Sequence, residues 1–172
     1  GDLVPAPQAA WVNAAMLHAL DYDDTFDATK VHTAVCVVPV VLALADAYGA
    51  CSGEDVLTAC AAGLEVTCRL SLGAGTSLSP GWLPTTLFGA FGGAAAAARI
   101  LGLSAEQTAH ALGVVWTQAA GNRQGLVDGA LTKRLQPAFY AQAATVAALL
   151  ARRGITGASG ALDGPYGLFP LV

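Results

Sequence analysis

An all-α bundle of about six helices is the fold class this sequence predicts. Three observations carry it. Apolar residues recur three and four positions apart, as on one face of a helix, through most of the chain. Loops rich in Gly, Ser, Thr and Pro, such as Gly73–Gly81, separate these stretches. No segment shows a convincing strand pattern, and no internal repeat has a solenoid period.

The elements follow in order. Pro5–Leu20 opens on a proline and carries Trp11, Val12, Ala15, Met16 and Ala19 on one face, which predicts the first helix. Asp21–Lys30 is an acidic, polar break. His32–Tyr48 is nearly all apolar and is expected as a central helix buried on most sides. Val35, Val37, Val38, Val40 and Val41 would also suit a strand, but length and the following Leu42–Ala45 favour helix, with Pro39 as a kink or a first-turn residue. Gly49 closes it. Ser52 caps the next helix, with Glu54 and Asp55 in its first turn, and that helix runs to about Leu72. Thr85 or Thr86 opens a helix to Leu101, in which Gly92–Ala98 permits very close helix contact. Ser104 and Gln107 form a capping-box pattern before a helix to about Ala120. After a second loop, Gly121–Leu131, a long helix is expected from Pro137 to Arg153, closed by Gly154, with a short helical turn near Ser159–Asp163.

Composition bounds the function. The 172 residues suffice for one domain with a substantial core. They are 55% hydrophobic and 12% charged, against about 25% charged in ordinary globular chains. Much of the surface is therefore expected to be covered, in an oligomer or in a larger protein. The start at Gly1 and the apolar tail Leu168–Val172 read as ends cut from something longer. Mean hydropathy is +0.55, yet the best apolar stretches, Val35–Ala45 and Leu87–Ala98, fall short of the roughly 18–20 residues of a spanning helix. No membrane segment and no secretory signal are expected. Net charge is −4 with eight cations, and no basic cluster exceeds two residues, so nucleic-acid binding has no electrostatic footprint. Cys36, Cys51, Cys60 and Cys68 show no CxxC spacing, which points to a reducing, cytoplasmic setting and no metal site.

The densest polar feature is Asp21–Asp27, four carboxylates in seven residues. They repel one another unless solvated, bound to cations or held by donors. A solvated acidic loop is the plain reading. Two motif readings compete with it. Asp23-Asp24-Thr25-Phe26-Asp27 matches the DDxxD magnesium–diphosphate pattern, though no second acidic motif accompanies it. Asp21–Thr25 matches the DxDxT pattern of phosphatases, which requires a preceding strand where a helix is expected. His32 follows the loop and could exchange a proton near neutral pH, or simply cap a helix start. His18 precedes the loop and could hydrogen-bond into it, and His110 reads as structural. Lys133 and Arg134 precede the last long helix, where cations are unfavourable for the helix dipole. Binding an anion there would explain them; so would a pair of solvated loop cations.

His18–Thr25, with His32 seven residues on, resembles the HALDYDDT block of the MmgE/PrpD family. Gly81–Thr85 with Phe88–Gly92 resembles its GxHPT…FGxxG block, and Gly129–Pro137 resembles its TKRLH block. The blocks fall in order over almost the whole chain. The family includes 2-methylcitrate dehydratase, cis-aconitate decarboxylase and iminodisuccinate epimerase. The resemblance implies that residues 1–172 are part of an all-helical domain, which in the family is paired with an α/β lid domain and commonly forms a homodimer, with the active site between the domains. It implies proton abstraction next to a carboxylate of a small di- or tricarboxylate, with no cofactor and no metal. On that basis His32, Lys133 and Asp21 are the candidate catalytic residues, and Thr25, Arg134 and Gln136 the candidate substrate-binding residues. Lys133 and Arg134 would hold substrate carboxylates.

Two positions depart from the pattern. The His of GxHPT is Leu83 here, and the His of TKRLH is Gln136. Losing a general acid can cost about 10²–10⁴ in rate, which argues against 2-methylcitrate as the substrate. The alternative expectation is a non-catalytic helical scaffold or oligomerisation module derived from the family.

Overall fold

The computed structural model describes residues 3–49, 51–75, 78 and 80–172. These residues form eight helices and no strand, so the all-α expectation holds. α1 spans Ala6–Leu17, α2 Val38–Tyr48, α3 Gly53–Ala74, α4 Pro84–Ile100, α5 Ala105–Trp116, α6 Gln124–Val127, α7 Thr132–Arg152 and α8 Leu168–Leu171.

α4 is the axis of the bundle. Every residue from Thr85 to Ala98 is buried, and α3, α7, α5 and α2 all pack on it. α2, expected as a central helix buried on most sides, instead buries Pro39, Val40, Val41, Ala43 and Leu44 and leaves one face outward. Small residues decide the matter, because a helix can be enclosed on every side only if its neighbours approach closely. Gly92 lies against α3, where an added Cβ would stand 1.9 Å from Thr67 Oγ1 and 2.6 Å from the Gly63 carbonyl oxygen. Gly93 faces the other way, 2.5 Å by the same measure from the Cys36 carbonyl oxygen and 2.9 Å from Ala144 Cβ of α7. α3 meets α4 along Ala59, Gly63, Thr67 and Ser71, a buried stripe at four-residue spacing.

α3 is also the one helix among the described residues long and apolar enough to cross a bilayer, which neither of the stretches weighed from sequence turned out to be. Its solvent side carries the Glu65–Arg69 ion pair at 2.5 Å.

Several boundaries moved. α2 begins at Val38, not His32, with Pro39 in its first turn, where its missing N–H is harmless. Residues 32–37 instead run as non-helical chain against the core, with Val35, Cys36 and Val37 fully buried. α5 stops at Trp116, four residues before the expected end. α7 begins at Thr132 rather than Pro137, which lies inside it. Only one helical donor, the one aimed at the Lys133 carbonyl, is lost there. Lys133 and Arg134 therefore sit in the first turn of α7, not in the loop before it. Ser159–Asp163 is hydrogen-bonded turn rather than helix, and the apolar tail forms α8, with Leu168 buried and Phe169 against Gly73.

Both capping boxes are present, Ser52 with Asp55 and Ser104 with Gln107. Ser104→Ala removes the acceptor for the Gln107 amide, now at 3.1 Å. It is expected to lower stability by about 1 kcal/mol, read as a drop in the urea midpoint at unchanged slope.

Candidate active site

The site is built where the end of α1, the acidic loop and the start of α7 meet, beside the N-terminus of α4. α1 ends at Leu17, and the chain turns through His18–Asp21, with the Asp21 amide donating to the His18 carbonyl at 3.1 Å. Asp21 has a positive φ of 56°, a left-handed conformation that Asp tolerates better than most residues. That turn aims its carboxylate at α7. A second reversal, Phe26 bridged to Val31 with Lys30 at φ 57°, returns the chain so that His32 faces His18. Their rings meet edge to face at 5.1 Å between centroids.

The acidic residues divide into distinct roles. Asp24 is structural: its carboxylate accepts from the Thr33 amide at 2.9 Å, the Thr33 hydroxyl at 2.5 Å and the Ala34 amide at 3.1 Å. Asp27 is solvent-exposed, with only Lys30 near it at 3.8 Å. Asp23 is buried and takes the His18 Nδ1–H at 2.9 Å. The three carboxylates of the DDxxD pattern thus point to different partners, which removes the diphosphate reading. The DxDxT reading falls too, because α1 and not a strand precedes the loop.

Lys133 closes the cluster. Its ammonium donates to Asp21 Oδ1 and lies 3.1 Å from His18 Nε2. Arg134 Nη1 stands 3.3 Å from Asp21 Oδ2; it makes no aligned hydrogen bond, so its contribution is charge rather than direction. His32 is held by the other edge of its ring and by its backbone. Nδ1 lies 2.9 Å from the Asp24 carbonyl oxygen, and the His32 amide donates to Thr85 Oγ1 at 3.1 Å. A carbonyl only accepts, so Nδ1 carries a proton, and Nε2 is the ring nitrogen left to exchange one. Nε2 lies on the Asp21 side, 3.7 Å from Oδ1.

An open cavity of about 450 Å³ lies over this cluster. His18, Asp21, His32 and Lys133 form one wall, Leu83–Thr85 at the start of α4 another, and Arg123 with Lys30 part of the rim. The cations outnumber the one carboxylate lining it, so an anionic ligand is favoured. The structure therefore brings together Asp21, His32, Lys133 and Arg134. Thr25 Oγ1 is 3.5 Å from His32 Nδ1, at the margin of the group. Gln136 is turned to the next loop, donating to the Asn122 carbonyl at 3.1 Å. The expected hydrogen bond from His18 into the acidic loop is present, on Asp23, whereas the part of Asp23 and Arg123 in the site was not expected. His18 and Asp23 had a signal, a histidine and a carboxylate five residues apart across a helix end. Arg123 had none, being an isolated cation in a loop.

Four donors, from His18, Asp21, Asp23 and His32, lie within 4.8 Å of one another, a set a cation could use. The Lys133 ammonium already hydrogen-bonds two of them, and the second nitrogen of His18 is taken by Asp23. A fixed cation thus competes with any metal for the same lone pairs.

Burial raises the pKa of Asp21, but the hydrogen bond and charge of Lys133, with His18 and Arg134, outweigh it and hold the carboxyl below its ordinary value. Burial likewise raises Asp23, and His18, the Asp23 backbone amide and His32 bring it below. A carboxylate depressed in the folded state contributes stability that is fully present above its unfolded pKa, near 4, and lost as pH falls through the folded value. The wild type is therefore expected to keep this contribution down to about pH 4 and lose it below. Asp21→Asn removes part of that acid-side slope. Superimposable acid-unfolding curves for the two proteins would contradict the assignment.

An all-helical domain with a charged cluster on an open, cation-rimmed cavity is the class of protein that fold and site define. The chain belongs to the MmgE/PrpD family: the profile of the MmgE/PrpD N-terminal domain matches residues 1–172. It is 35% identical to a cis-aconitate decarboxylase-like protein of Aspergillus oryzae, over 95% of this chain and 36% of that protein. It is 34% identical to cis-aconitate decarboxylase of Aspergillus terreus, over 94% of this chain and 34% of that one. The human cis-aconitate decarboxylase is 33% identical, over 93% and 34% respectively. The chain spans about a third of the length of these curated relatives.

Proposed function

We propose that this domain binds a small di- or tricarboxylate and serves a lyase or isomerase reaction that takes a proton from, or returns one to, a carbon beside a carboxylate. The observation that supports this best is Lys133, held on Asp21 and His18 with His32 beside it, at the wall of an open cavity. An ammonium carries three N–H donors. Two are engaged within the protein, and the third is left for a substrate carboxylate. His32, with Nδ1 fixed on the Asp24 carbonyl, offers Nε2 as the proton acceptor. Asp21 holds the lysine, while Arg134 and Arg123 add positive charge for a second carboxylate. Similarity to proteins named cis-aconitate decarboxylase supports the substrate class.

In this reading residues 1–172 form the helical part of the site. A lid domain covers the cavity, two copies associate, and the protein works in the cytoplasm, a setting that suits its four unpaired cysteines. A second reading, a scaffold without catalysis, draws on Leu83, an apolar side chain in the cavity wall. Calorimetry with citrate and cis-aconitate separates them. The chain should bind both, and Lys133→Ala should weaken binding at least roughly tenfold, the worth of one charge-assisted hydrogen bond. A stable oligomer that takes up neither ligand would favour the scaffold.

A further inference from the structure

We propose that the buried His18–Asp23 pair is a positioning device for Lys133, locking the imidazole in one tautomer so that its free nitrogen fixes the direction of the lysine ammonium. This rests on the reading above, in which Lys133 holds a substrate carboxylate. His18 is 1% exposed and Asp23 4%, so water does not compete for either group. Asp23 can only accept, and it takes the His18 Nδ1–H at 2.9 Å. The lysine ammonium can only donate, and it lies 3.1 Å from Nε2. Asp21 Oδ1 is 3.3 Å from the same nitrogen but makes no aligned hydrogen bond with it, its own bond coming from Lys133. One tautomer alone satisfies both hydrogen-bonding neighbours: Nδ1 protonated, Nε2 bare. The opposite tautomer would set a lone pair against a carboxylate and an N–H against an ammonium. The imidazolium would also turn an N–H toward the lysine.

The consequence for the lysine is geometric. A flexible four-carbon side chain held by Asp21 alone could swing about that contact. A second acceptor on another face of the nitrogen removes that freedom and directs the remaining N–H. His18 touches no cavity ligand in this scheme; it acts through Lys133.

Two measurements test the pair. The first uses the unmodified chain, with ¹⁵N spectra of the histidine rings. His18 should show a protonated Nδ1 and a bare, hydrogen-bonded Nε2, and the Nε2 signal should move in Lys133→Met. A protonated Nε2, or a signal indifferent to Lys133, overturns the proposal whatever the protein binds. The second compares His18→Gln, His18→Asn and His18→Phe by calorimetry with tricarballylate, a tricarboxylate that cannot lose water. A Gln amide reaches the Nε2 position and can accept from Lys133, whereas Asn reaches only Nδ1 and Phe offers neither. Affinity should fall roughly tenfold in Phe and Asn, the worth of one directed hydrogen bond, and recover in Gln. If Lys133→Ala weakens binding while all three His18 variants bind like wild type, the positioning role fails and the functional reading stands. If Lys133→Ala leaves binding unchanged, the functional reading fails, and the ring spectra still decide whether His18 orients the lysine.

Discussion

Lys133→Ala is expected to lower the stability of the bundle by about 2–3 kcal/mol, besides weakening carboxylate binding. Breaking a buried ion pair costs about 3–5 kcal/mol, because the surviving charge stays desolvated. Asp21 is 29% exposed and Lys133 11%, so water recovers part of that. The surviving Asp21 keeps Arg134 and His18 Nε2, each at 3.3 Å, and His32 Nε2 at 3.7 Å, but loses its one aligned hydrogen bond from a full charge. His18 Nε2 loses its 3.1 Å contact with the ammonium. Urea unfolding measures the loss. Asp21→Asn in the Lys133→Ala background should return about 1–2 kcal/mol of it, a coupling typical of groups in direct contact. Strictly additive single and double variants would show that the pair is not coupled in solution.

Gly92→Ala should be at least as damaging, although it adds one methyl group far from any charge. The new Cβ would stand 1.9 Å from Thr67 Oγ1 and 2.6 Å from the Gly63 carbonyl oxygen. Neither neighbour is free to yield. The Thr67 hydroxyl donates to the Gly63 carbonyl at 2.9 Å inside α3, and Thr67 is fully buried. α4 cannot retreat either, because Gly93 on its other side already meets the Cys36 backbone and Ala144. Overpacking usually costs about 1–3 kcal/mol, and with both helices fixed this site belongs at or above the upper end. Thr67→Ala in the same chain removes the hydroxyl but not the carbonyl, so rescue should be partial. Full rescue would place the whole conflict on the side chain. A Gly92→Ala protein as stable as wild type would refute the close packing of α3 on α4.

Apolar spacing located α1, α3, α4 and α5 because each buries one face, or all faces, over three or more turns. It misread residues 32–37, since Val35, Cys36 and Val37 are buried as non-helical chain and burial alone does not specify a helix. The rank of α4 as the axis was implicit in Gly92–Ala98, but small residues announce close approach without saying which neighbour approaches. The helix expected from Pro137 opens five residues earlier, at Thr132, and accepts one missing donor. In the site, Asp21, His32 and Lys133 were legible from motif blocks. A hydrogen bond from His18 into the loop is also legible from its place before it, but the choice of Asp23 as partner and the contact with Lys133 depend on how the loop folds back, which spacing does not encode. Gln136 shows the converse: it lies in a site motif, yet its side chain serves the adjoining loop.

The left-handed backbone at Asp21 sets two different filters on that position. A screen that scores only folding should rank Asn and Gly, which tolerate such a φ, above other uncharged residues there, each still losing the carboxylate's share of stability, and should reject Glu despite its matching charge. A screen that scores ligand capture should reject Asn and Gly, because neither places an anion on Lys133. Substitutions that rank well in the first screen and fail the second would mark a residue whose conformation serves folding alone and whose charge serves both folding and ligand capture.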